Sequence, residues 1–188
     1  MPEARGDART KMVEAAVVVL ARSGYQGASF SAVLTESGAP RGSIYHHFPG
    51  GKDELVEAAL ELQTARVIAM LEAMHGIPPR QVAERFLEAW HRTLIGADFA
   101  AGCSLLAVAT SAGPALQATA GRLFGDWMGA LTRALTVGGA PADAAAEFAA
   151  DLLAASEGAV AICRAQRSTA VLDALRGRLV REAEALAG

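Results

Sequence analysis

The chain is short of aromatic residues, which make up 5% of its 188 positions, and it has two cysteines, Cys103 and Cys163. Two thiols with no Cys-x-x-Cys spacing exclude a disulfide scaffold and a zinc finger. They read as buried, reduced thiols behaving as small hydrophobes, with a redox switch as the alternative. No apolar run is long enough to cross a bilayer. The start, Pro2-Glu3-Ala4-Arg5-Gly6-Asp7, lacks the basic-then-apolar pattern of a secretory signal. A cytoplasmic protein with no membrane partner is expected. Strict alternation of apolar and polar residues is missing too, which argues against half-buried strands. Val17-Val18-Val19 comes nearest and lies inside a helical pattern.

Catalytic spacings are equally scarce. There is no Gly-x-Ser-x-Gly, phosphate loop, dinucleotide fingerprint or metal-ligand cluster. His46 and His47 are adjacent, hence about 100° apart on a helix and a poor chelating pair. Ser104 has no histidine or acid placed to activate it. No enzyme activity, cofactor or metal is expected, and an enzyme acting on a hydrophobic substrate is the weaker alternative.

What is present is helical. The chain is 52% hydrophobic, poor in proline and rich in Ala, Leu, Arg and Glu. An amphipathic stretch from about Asp7 to Ser23 carries Val13, Ala16, Val17 and Leu20 as one stripe and stops at Gly24. Ser29 caps a second helix with Phe30, Val33 and Leu34 at helical spacing. Gly38 ends that helix, and Pro40 stands where a third begins. The third is about two turns long before Phe48-Pro49-Gly50-Gly51. A helix so short is not stable alone and must be held by its neighbours. Its apolar residues leave one face to Arg41, Ser43, Tyr45 and His46. That combination describes a helix-turn-helix presenting a recognition helix to DNA. Tyr45 and Phe48 would also serve as core aromatics, and His47 as a packing or capping residue.

The run Arg41-Gly42-Ser43-Ile44-Tyr45-His46-His47-Phe48, followed by Lys52 and Asp53-Glu54, together with Gly24-Tyr25-Gln26-Gly27-Ala28-Ser29-Phe30, resembles the DNA-binding head of the tetracycline-repressor family of bacterial regulators. The resemblance spans roughly the first quarter of the chain. Many members have one small residue between the proline after the Phe and the lysine; Gly50 and Gly51 make two here. With the later Gly102-Cys103-Ser104-Leu105-Leu106-Ala107, this variant resembles a branch of drug- and flavonoid-responsive repressors, the lincomycin-resistance type. The resemblance implies a ligand-responsive, homodimeric repressor on a palindromic operator. Arg41 then meets either a guanine edge or a phosphate. Pro40 and Gly42 allow close approach; Ser43, Tyr45 and His46 face phosphates or bases; and Lys52 meets a phosphate. Thr10, Ser29 and Ser31 bond to the DNA backbone. A helical dimeric module without DNA binding is the competing reading.

Charge is uneven. Residues 1–52 hold six Lys/Arg against four acids, and the remaining 136 hold eleven against sixteen. A mildly basic head on an acidic body has the sign of a polyanion reader. The excess is small, so affinity must lean on dimerisation and directed hydrogen bonds.

The expected division is a DNA-binding domain at 1–52 and a ligand-binding and dimerisation domain at 53–188, with 53–74 as connecting helix. Leu55, Ala58, Ala59, Leu62 and Ala65 are that helix's buried side. Further helices start at Pro79, span Cys103–Thr110, open at Gly113-Pro114, and cover Ala142–Ala165 and Thr169–Leu186. The total is nine helices and no strand, an all-α fold. Met70, Phe86, Trp90, Phe99, Cys103, Phe124, Trp127, Met128 and Phe148 are candidates to line an apolar pocket for a small hydrophobic effector. Each is alternatively core. Leu152, Ala155, Ala159 and Ile162, with Leu172, Leu175 and Leu179 on the last helix, suggest two hairpins pairing as a four-helix dimer interface. Intrachain packing is the alternative.

Overall fold

A computed structural model describes residues 3–40 and 42–186, of residues 3–7 the backbone alone. Among the described residues there are nine α-helices and no strand: α1 (Glu3–Gly27), α2 (Phe30–Ser37), α3 (Ile44–His47), α4 (Lys52–Glu72), α5 (Pro79–Gly96), α6 (Ser104–Ser111), α7 (Pro114–Val137), α8 (Ala142–Gln166) and α9 (Ala170–Ala185). The all-helical expectation holds.

The chain divides into two compact units, Met1–Ala65 with Cys103–Leu123, and Arg66–Gly102 with Phe124–Gly188. These do not coincide with a division at residue 52. The reason is α6, which packs on α1 although it lies far downstream. Ala107 of α6 comes near Gly24, where a Cβ would sit 3.9 Å from its own, an ordinary van der Waals distance. The Gln26 side-chain amide also donates to the Ser111 carbonyl at 3.4 Å.

In the first unit the α1 stripe is buried as expected, with Met12 added to Val13, Ala16, Val17 and Leu20. Gly24 interrupts the helix as expected: its φ of 65° and ψ of −173° are non-helical, and the kink there sets Tyr25–Gly27 apart from the residues before it. Ser29 caps α2, its Oγ accepting from the Ala32 amide at 3.1 Å. Gly38 ends α2 in the left-handed region with its N–H on the Leu34 carbonyl. The third helix is shorter than two turns. Only Ile44–His47 are α-helical, because the segment before them is a turn, with the Ser43 amide on the Pro40 carbonyl at 3.1 Å. Ile44 and Phe48, 0% and 1% exposed, anchor this single turn. Burying such side chains is worth about 1.5–3 kcal/mol each.

The buried side of α4 comprises Leu55, Val56, Ala59, Leu60, Thr64 and Leu71. Ala58 and Leu62 are half-buried and Ala65 is exposed, correcting the expected stripe. Apolar residues lie all around this helix, so spacing did not single out one side.

In the second unit α5 packs on α9 and α8, and α8 on α9. Pro79 starts α5 at a position where its missing N–H costs nothing. Arg176 reaches Glu88 across α9 and α5 at 2.7 Å, and Arg80 bridges Glu84 and Glu184. The segment between α5 and Gly102 is tied to the C-terminal end of α8. Asp98 and Phe99 both have positive φ, at 47° and 59°, as does the α8 cap Arg167 at 50°. Arg167 pairs with the Asp98 carboxylate at 2.7 Å and lies over the Phe99 ring, while Arg164 donates to the Ala100 carbonyl at 3.0 Å.

Candidate nucleic-acid interface

Caps and anchors fix the recognition segment from within. Ser29 and Gly38 set the ends of α2; Ile44 and Phe48 pin α3. Tyr45, next to fully buried Ile44, is 70% exposed. Its ring meets Phe30 edge-on at 5.3 Å. Of the two aromatics that could have been core, Phe48 is and Tyr45 is not. Gly42 is exposed, and a Cβ added there would meet nothing within 4 Å. No described residue therefore requires glycine at that position. Pro40 and His46 are exposed too, His46 with its ring 5.7 Å from that of His47. Arg41 lies outside the described residues.

The serines are partly committed. Ser43 Oγ donates to the Pro40 carbonyl at 2.7 Å, so its proton closes the turn before α3. Ser29 Oγ is the α2 cap, which leaves it a proton to donate. Ser31 is exposed and its carbonyl accepts from Thr35 Oγ1. Thr10 is exposed on α1.

Sequence reasoning missed how two cations are held. Lys52 opens α4 after Gly51, whose φ of 86° is left-handed; that is what the second glycine supplies. The Gly50 amide donates to the Glu54 carboxylate at 2.8 Å. The Lys52 ammonium lies 3.9 Å from the centroid of Tyr25, whose hydroxyl donates to Asp53 Oδ1 at 2.7 Å. Burial holds the Lys52 ammonium below its ordinary value, against the pull of the Asp53 charge. The Tyr25 phenol is held above its ordinary value by the bond to Asp53, then by burial and by the Asp53 charge. Separately, the Arg9 guanidinium stands over the Phe48 ring at 5.2 Å. Tyr25, in Gly-Tyr-Gln-Gly ahead of the cap Ser29, was the available signal for the first arrangement.

Among the pocket candidates, Cys103 lies in the first unit, where its Sγ caps α6 by accepting from the Leu106 amide at 3.4 Å. The other eight lie in the second. Phe86, Trp127 and Phe148 are buried there, Met70, Trp90, Phe99 and Phe124 half-buried, and Met128 exposed. Phe124 and Trp127 meet edge-on at 5.8 Å. A groove of about 430 Å³ in this unit is lined by Arg80, Glu84, Asp173, Arg176, Gly177, Val180 and Arg181. None of those is an apolar candidate. Glu157 on α8, 6% exposed, is a buried carboxylate that apolar spacing did not flag.

The dimer candidates separate in the same way. Leu152, Ala159, Leu172 and Leu179 are buried within the chain, so they form its own core and present no face to a second copy. Ala155 and Leu175 are half-buried, and Ile162 is 45% exposed. The exposed side of α8 instead runs through Ala154, Gly158, Ala161, Ile162 and Ala165.

A capped α2, a tight turn and a short anchored helix with exposed hydrogen-bonding groups are the parts of a DNA-binding transcriptional regulator. The profile for bacterial regulatory proteins of the tetR family matches residues 12–59. That for the transcriptional regulator LmrA/YxaF-like C-terminal domain matches residues 79–177. An uncharacterized HTH-type transcriptional regulator of Mycobacterium tuberculosis, Rv0196, is 32% identical over 180 residues, 91% of each chain. HTH-type transcriptional regulator LmrA of Bacillus subtilis is 46% identical over 59 residues, 31% of each. In fold, regulatory protein TetR from Rhodobacter sphaeroides superposes with a TM-score of 0.81 at 18% identity, over 93% of this chain and 98% of that one. The chain belongs to the tetR family of bacterial transcriptional regulators, with an LmrA/YxaF-like C-terminal domain. Its function is that of this family, ligand-responsive control of transcription through DNA binding. No helix among the described residues is long and apolar enough to cross a membrane.

Proposed function

We propose that the protein is a homodimeric repressor that lays two copies of α3 into successive major grooves of a near-palindromic operator. The observation that carries this reading is the contrast at one step of the chain. Ile44 is wholly buried, while Tyr45 beside it is 70% exposed and a Cβ at Gly42 would meet open space. An exposed aromatic on a rigidly anchored turn is a contact waiting for a surface. Tyr45, His46 and Lys52, with Arg41, supply donors for phosphates and base edges, and Gly42 and Pro40 supply close approach. Two-fold symmetry requires heads spaced by roughly 34–36 Å.

The mate covers the small-residue side of α8, centred on Ile162 with Ala154, Gly158, Ala161 and Ala165. The effector is a small, hydrophobic, flat compound of the drug or flavonoid kind, held among the apolar side chains of the second unit. Phe86, Trp127 and Phe148 are wall there, and the half-buried Trp90, Phe99 and Phe124 are the side chains with surface left to give a ligand. Release follows if the effector prefers the conformation that does not fit the operator; a coupling of about 1–3 kcal/mol is typical.

A gel shift with DNA from upstream of the protein's own gene tests the reading. A saturable shift that planar hydrophobic compounds reverse, while raising the melting temperature, is expected. No shift, from a protein that is dimeric and folded, would favour the interaction module instead.

A further inference from the structure

Two left-handed glycines bring an aromatic ring and an ammonium together at the edge of the recognition segment. Gly24, with φ 65°, bends α1 so that Tyr25 leaves the line of the helix. Gly51, with φ 86°, turns the chain so that Lys52 is the first residue of α4. The result is a three-part stack. Lys52 Nζ stands 3.9 Å from the Tyr25 centroid, and the Tyr25 hydroxyl donates to Asp53 Oδ1 at 2.7 Å. The ring is thus fixed at its polar end by a residue adjacent to the lysine it carries.

Three physical consequences follow. A lysine side chain is flexible and strongly hydrated, and both properties oppose its capture by a phosphate. The ring face restricts the chain and removes part of the water from the ammonium, a loss that burial of Lys52 already registers. Asp53 would repel a phosphate, but the tyrosine proton occupies one of its oxygens. A cation held ready and partly dried before DNA arrives has less to lose on binding.

We propose that Tyr25 is a positioning residue for DNA binding: its ring, oriented by Asp53, holds the Lys52 ammonium where a backbone phosphate meets it. The inference rests on the reading that Lys52 contacts phosphate, and it adds the device that makes the contact effective. Because phosphate contacts are indifferent to sequence, any duplex reports them.

The test is fluorescence anisotropy on a mixed-sequence duplex about three helical turns long, across a range of KCl, with the full chain. Lys52→Met should lower the slope of log K against log[KCl] by about 0.9 for each phosphate no longer neutralised. Tyr25→Leu should weaken binding about two- to fivefold per head and lower the slope in the same direction, whereas Tyr25→Phe, which keeps the ring but loses the bond to Asp53, should fall between Tyr25→Leu and the wild type in both. Combining Tyr25→Leu with Lys52→Met should be no worse than Lys52→Met alone. A wild-type slope in Tyr25→Leu, or effects that add in the double variant, would overturn the inference. If Tyr25→Leu does not fold, the Lys52 ε-methylene protons of the wild-type protein decide. A ring-current upfield shift that Tyr25→Phe preserves supports the stack, and random-coil positions overturn it. A wild-type protein that binds no duplex strikes the DNA-binding reading as well. Tight wild-type binding that is blind to Tyr25 strikes only this inference.

Discussion

Adjacent residues on α3 should separate stability from DNA binding. Ile44 is 0% exposed, so Ile44→Ala removes buried methylenes and leaves a cavity, at about 2–5 kcal/mol. The turn it anchors is only four residues long and can partly collapse, which places the value near 3 kcal/mol, more than a hundredfold in the folding constant. Tyr45, 70% exposed, has one edge-on ring interaction with Phe30 to give up, worth about 0.5 kcal/mol at the surface. Alanine's better helix propensity returns a similar amount, about 0.5 kcal/mol. The two nearly cancel, and Tyr45→Ala should melt with the wild type. On DNA the order reverses. Removing one interaction of about 1–3 kcal/mol, made twice by a dimer, weakens binding by roughly thirtyfold to ten-thousandfold. Urea titration followed by circular dichroism reads the first quantity, and anisotropy on the upstream DNA reads the second. Tyr45→Ala that binds like wild type, or that destabilises as much as Ile44→Ala, would refute the assignment of the exposed face.

The other expectations are simpler. Gly42→Ala, at a position with open space around it and no need for positive φ, should leave stability unchanged or raise it by about 0.4–1 kcal/mol while weakening operator binding; unimpaired binding in the same anisotropy assay would deny close approach there. Gly51→Ala must adopt φ 86° or shift the start of α4, costing about 1–3 kcal/mol in urea melts. If the proposed dimer forms through α8, Ile162→Arg should yield monomer in sedimentation at micromolar concentration without lowering secondary structure, since Ile162 is 45% exposed in the single chain. The raised Tyr25 phenol sets a pH window: its bond to Asp53 stabilises fully below the ordinary value of 10.0 and is lost as pH rises through the higher folded-state value. Melting temperature from about pH 9 to about pH 11 should therefore fall more steeply for wild type than for Tyr25→Phe.

Local chemistry was readable in the chain, and tertiary choice was not. Ser29 and Gly38 declared α2 because a hydroxyl cap and a left-handed stop act within a few residues. The length of α3 was overstated because the turn from Pro40 to Ser43 bonds like the start of a helix without continuing as one. Residues Leu152, Ala159, Leu172 and Leu179 had the right spacing for an apolar stripe, but spacing does not say whose surface the stripe meets; here it is the chain's own. The docking of α6 on α1 joins segments distant in sequence, and no local pattern announces it. The recognition segment was the most legible part, since its turn, aromatics and lysine stand within a dozen positions.

Gly102 and Arg164 share one volume. A Cβ on Gly102 would lie 2.8 Å from Arg164 Nη1 and 2.9 Å from its Cδ, close to where that guanidinium grips the Ala100 carbonyl. A side chain at 102 therefore requires the Arg164 side chain to shift. Enlarging the first redirects the second and puts its bond to the Ala100 carbonyl at stake. For an engineer the two positions are best varied as a pair, because a change at either one bears on how the segment before α6 is held.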